Sequence, residues 1–158
     1  MATSMETVSS FPSKWAWIFG GAAVALAAGG IAFLLSRQRP NKHIQTLVTP
    51  DRRLTDNFKA KLAEIFAAQL DLDGDGALND AELDRLVFLT EGQRITPEMA
   101  EFIRSHFETN DEGWLTLSGF VASYEWILQH LTDDSAAEQA FAKDLQAYGY
   151  TYARFKQN

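Results

Sequence analysis

Residues 71–82 read Asp-Leu-Asp-Gly-Asp-Gly-Ala-Leu-Asn-Asp-Ala-Glu, with carboxylates at the first, third, fifth and twelfth places. Asp71, Asp73, Asp75 and Glu82 at this spacing suit a hard divalent cation with oxygen ligands. Asn79 at the ninth place ligates directly or through water, and Ala77 at the seventh offers its carbonyl. Gly76 occupies the sixth place, where the chain must turn sharply. Four carboxylates at the ligand places of so short a segment repel one another unless a cation neutralises them. The bland alternative is a solvated acidic turn, but every diagnostic position is filled at once. Calcium is the expected ion. Magnesium is the second choice, because it demands near-octahedral geometry.

This pattern is an EF-hand loop, and such loops sit between two helices and work in pairs. Thr55 caps a predicted helix over 56–70 with Phe58, Leu62, Ile65 and Phe66 on one face. A second helix starts near Asn79 and turns Leu83, Leu86 and Val87 inward. Thr96, Pro97 and Glu98 open a third, with Met99, Phe102, Ile103 and Phe107 as its apolar face. A fourth is predicted over 117–131, carrying Phe120, Val121, Tyr124, Ile127 and Leu128.

Residues 108–119 connect the third and fourth helices. Gly113 falls 37 residues after Gly76, close to the usual interval between paired loops. Leu115 then matches Leu78 at position 8, where paired loops join by a short backbone ladder. The ligands of this second loop are poor. Glu108 replaces the usual Asp at position 1, Asn110 and Glu112 hold positions 3 and 5, and Gly119 stands where the bidentate Glu is required. A degenerate, metal-free loop with a structural role is expected. A fifth helix is predicted from Asp134 to about Tyr148, with Phe141, Leu145 and Tyr148 as its stripe. It is either a ligand-like helix filling the groove of the pair or an ordinary packing helix.

The amino-terminal part has a different character. Residues 15–35 are 21 residues without a charge, flanked by Trp15 and Trp17 on one side and Arg37, Arg39 and Lys42 on the other. As a helix they span about 31 Å, the thickness of a bilayer's hydrocarbon core. The expectation is a single-pass membrane protein whose carboxyl-terminal domain lies on the cytoplasmic or equivalent side. A cleaved signal peptide is the competing reading, disfavoured by a neutral start and a long apolar run. Gly21, Ala25 and Gly29 recur every fourth residue and let another helix approach closely, although alanine and glycine are also simply common here.

The expected organisation is an amino-terminal tail (1–14), a transmembrane helix (15–35), a basic linker (36–54) and an EF-hand pair with a carboxyl-terminal helix (55–158). Apart from the ladder, the fold class is all-α. The last segment holds 8 Lys and Arg against 19 Asp and Glu, so it repels nucleic acid. No cysteine is present, which excludes disulfides and thiolate metal sites. His43, His106 and His130 are scattered, no phosphate loop occurs and no nucleophile–base arrangement stands out, so neither an enzyme nor a nucleotide-binding protein is expected.

Taken together, Leu-Asp-Gly-Asp-Gly-Ala-Leu (72–78), Gly-Trp-Leu-Thr-Leu-Ser-Gly-Phe (113–120) and Leu-Gln-Ala-Tyr-Gly-Tyr (145–150) resemble the mitochondrial Rho GTPases known as Miro, over about residues 57–152. In that family a calcium-type hand pairs with a hidden non-binding hand, followed by a ligand-mimicking helix. The resemblance implies the same module here, with the GTPase domains missing and the anchor at the opposite end. It also implies a mitochondrial address: the outer membrane with the carboxyl-terminal domain in the cytosol, or alternatively an inner-membrane complex or another organelle. The expected role is a membrane-anchored calcium sensor or recruitment module with a protein partner in its groove. The alternative is a structural accessory subunit of a membrane complex, docked through Gly21, Ala25 and Gly29, in which calcium only stabilises the fold.

Overall fold

A computed structural model describes residues 47–131 and 133–150. They belong to one folded unit, Ile44–Asn158. The apolar run at 15–35, with Gly21, Ala25 and Gly29, lies outside the described residues. Among the described residues no helix is long and apolar enough to cross a membrane.

The unit is mostly helical. Helix α1 (Asp56–Ile65) is capped by Thr55, whose hydroxyl accepts from the Phe58 amide. The chain then widens into a π-helical turn, Phe66–Leu70, instead of continuing as the expected α-helix. This turn buries both Phe66 and Leu70. Strand β1 (Ala77–Leu78) leads into α2 (Asp80–Glu91). Helix α3 (Pro97–His106) starts at the Thr96 cap, strand β2 (Leu115–Thr116) follows, and α4 (Leu117–His130) and α5 (Asp134–Ala147) complete the order. The strands pair antiparallel, with Leu78 opposite Leu115 and Ala77 opposite Thr116. Two helix–loop–helix units are thus tied loop to loop.

The core draws on every helix. Phe58, Leu62, Ile65, Leu83, Val87, Met99, Ile103, Phe120, Tyr124, Phe141 and Leu145 are buried, while Phe102 and Val121 of the expected faces are only half-buried. Phe141 of α5 lies against Phe58 at 5.4 Å and Tyr124 at 5.3 Å between ring centroids. Within this core the Tyr124 hydroxyl donates to Asp144 at 2.8 Å. Burial, reinforced by the Asp144 carboxylate, pushes the Tyr124 phenol well above its ordinary range.

Residues 47–54 depart from the expected linker. Leu47, Val48 and Leu54 are buried in the unit. They form a tight hairpin, with the Thr49 amide donating to the Arg53 carbonyl at 2.8 Å and the Thr55 amide to the Leu47 carbonyl at 3.0 Å. Three apolar residues within eight supply enough buried surface to dock such a segment. Arg53 is exposed and pairs with Asp51, whereas Arg52 reaches into the fold.

Candidate metal centre

The first loop is shaped by its own carboxylates. Asp71 Oδ1 accepts from the amides of Gly74 at 2.8 Å and Asp75 at 3.1 Å, and its Oδ2 accepts from Gly76 at 2.9 Å. Those bonds curl the chain around the Asp71 side chain. Gly76 makes the reversal at φ 90°, a backbone angle that a side chain would strain; Gly113 holds the equivalent place at φ 81°.

The carboxylates converge. One oxygen each from Asp71, Asp73 and Glu82 lie within 4.8 Å of one another. Calcium–oxygen bonds of 2.3–2.6 Å put opposed ligands of one ion about 5 Å apart, so this set fits such an ion. Asp75 is outside that cluster, and its Oδ1 accepts from the Ala77 amide at 2.9 Å. Ala77 itself is buried in β1. Asn79 is the N-cap of α2: its Oδ1 accepts from Ala81 and Glu82, and its Nδ2 donates to Asp73 at 3.3 Å.

Glu82 completes a reciprocal cap by accepting from the Asn79 amide at 3.0 Å. Its other oxygen accepts from the amides of Leu72 at 2.7 Å and Asp73 at 3.3 Å. The side chain is thus folded over the loop, and Glu82 is buried. Crowding leaves a mark on Asp73. The Asp75 amide lowers its carboxyl, but desolvation and the neighbouring Asp75, Glu82 and Asp71 carboxylates together outweigh that and hold it above its ordinary value.

The second loop is built differently. Glu108 turns its carboxylate to the Thr116 hydroxyl at 2.7 Å, and its carbonyl accepts from the Thr116 amide at 3.1 Å. Asn110 Oδ1 accepts from Glu112 at 3.1 Å and Trp114 at 2.9 Å, while the Glu112 residue is exposed. Gly119 packs against the start of the loop. A Cβ there would stand 2.3 Å from the Glu108 carbonyl oxygen and 2.7 Å from Leu115 Cδ1. The place that a twelfth-position side chain would leave from is therefore filled by backbone. Sequence reasoning overlooked Thr116, which both bridges Glu108 and caps α4 through the Gly119 amide at 3.2 Å. Its signal is a threonine immediately before an apolar helix.

Comparison with family models, with curated proteins and with solved structures finds no match for this chain.

Proposed function

We propose that this chain is a membrane-anchored calcium-binding protein built on paired EF-hands, one calcium-type and one degenerate. Asp71, Asp73 and Glu82 hold the ion directly, with Asp75 and the Ala77 carbonyl joining them. Asn79 acts through a water, since its side-chain oxygen already caps α2. The observation that carries this reading is the convergence of three carboxylates from the two ends of one loop. The Leu78–Leu115 ladder supports it, because it joins the loops at the position where paired hands meet. Calcium neutralises the loop and biases α2, which leads from Glu82 to the cleft holding α5 or a partner. The sequence resemblance to the Miro module and the apolar run at 15–35 support a mitochondrial membrane as the site of action.

Titration calorimetry on the full chain in mild detergent tests the site. One calcium per chain is expected, with the heat abolished in Glu82→Gln. A wild-type protein silent at millimolar calcium would overturn the assignment.

A second reading, an accessory subunit in which the ion only stiffens the fold, draws on the closed aromatic packing of Phe141 with Phe58 and Tyr124. Gentle extraction and sizing separate the two. A discrete large assembly favours the subunit, and calcium-dependent partner capture favours the sensor.

A further inference from the structure

Among the described residues Arg52 is the one non-glycine residue with a left-handed backbone, at φ 59°. It sits in the 47–54 hairpin, where its amide donates to the Thr49 carbonyl at 2.9 Å. Glycine or asparagine adopts such an angle with less strain, so the backbone does not explain an arginine here. Its side chain does. Nη2 donates to the carbonyls of Leu128, at 2.8 Å, and Leu131, at the end of α4. These are the carbonyls a helix leaves without internal partners, and a cation suits the negative end of the helix. Nε is ion-paired with Asp134, in the first turn of α5, at 3.0 Å. One turn further along α5, Glu138 accepts from the backbone amides of Leu47 and Val48. Asp134 and Glu138 are four residues apart and share a helix face. The hairpin therefore grips the junction of α4 and α5 at both of its own ends.

We propose that residues 47–54 are a latch that holds α5 in its cleft, with Arg52 as the positioning residue. A change in the angle between α4 and α5 must break the guanidinium contacts and the Glu138 bonds together. Hairpin and α5 therefore open as one cooperative unit. Release of α5 uncovers Phe58 and Tyr124, the rings that Phe141 packs against and that are fully buried while it is docked. The latch is independent of the metal reading and is expected to work with the first loop empty.

Hydrogen exchange read by mass spectrometry, on the full chain with calcium chelated, tests it. Arg52→Gly tolerates the backbone angle and removes the guanidinium. At least tenfold faster exchange is expected both at 49–55 and in the first two turns of α5, with α1 to α3 within about twofold of wild type. Asp134→Asn, which removes only the ion pair, should show the same two regions at smaller amplitude. Faster exchange confined to the hairpin, or a uniform rise over every helix, would overturn the latch. Should Arg52→Gly not fold, Arg52→Lys takes its place: it keeps the charge but loses the planar fork, and the same two signatures decide.

Discussion

Glu82 is the residue on which the first loop and α2 converge. Its two oxygens bind the amides of Leu72, Asp73 and Asn79, so the loop is drawn shut from its far end. Gly119 is its counterpart in the second loop and does the opposite, letting the Glu108 backbone come so close that no side chain fits. Restoring the missing ligand should therefore fail. Gly119→Glu is expected to lose about 1–3 kcal/mol by overpacking, seen in chemical denaturation, while calorimetry still counts one ion per chain. A second binding event would refute the closed-loop reading. The convergence of three carboxylates was legible in the sequence, because contacts inside a twelve-residue loop are set by local spacing. Asp71, Asp73 and Glu82 come together where their positions in the twelve-residue pattern put them. The bridge from Thr116 to Glu108 and the approach of Gly119 were not legible, since they depend on which backbone segments meet and not on residue type alone.

Helix starts were equally local and equally readable: Thr55 and Thr96 each accept from the amide three residues on, as their types and neighbours suggested. The π-helical turn at 66–70 was not, because alternation of apolar residues does not distinguish it from one more α-helical turn. Whether α5 is a core element or a peripheral one is decided at this scale. Phe141 is wholly buried between α1 and α4, so Phe141→Ala should cost about 3–5 kcal/mol, read as a lower denaturation midpoint. A loss under about 1 kcal/mol would mark α5 as loosely held. Past α5 the chain is tied to α1 by Tyr150, whose hydroxyl donates to Glu64 at 2.7 Å, while Lys61 holds the other Glu64 oxygen at 2.6 Å. The Lys61 hydrogen bond first, and then that of Tyr150, keep the Glu64 carboxyl below its ordinary value of 4.5. A depressed folded value means that this contribution is complete above the unfolded value and disappears as pH falls through the folded one. Glu64→Gln should accordingly flatten the acid side of the stability profile below about pH 4.5, with no change near neutrality in that slope. An unaltered acid slope would show that the tie is absent in solution.

At the scale of the whole molecule the acidic surface raises a question that the loop alone does not answer. Residues 55–158 carry 19 Asp and Glu against 8 Lys and Arg. Any divalent cation therefore stabilises the fold somewhat, simply by screening self-repulsion. A caged ion acts differently: it binds the folded chain and not the unfolded one, and stabilises it by mass action. That amounts to roughly 2.7 kcal/mol at a hundredfold excess over the dissociation constant. For a domain of this size such a gain raises the melting temperature by on the order of 10–20 °C. Screening depends on ionic strength and barely on which carboxylate is present, whereas the cage depends on Glu82. Scanning calorimetry of the full chain, with calcium or with chelator at matched ionic strength, should show the large shift in wild type and almost none in Glu82→Gln. Magnesium, which demands near-octahedral geometry, should give a smaller shift. Equal shifts in wild type and Glu82→Gln would mean that calcium acts on the surface as a whole, and that Asp71, Asp73 and Glu82 converge without holding an ion.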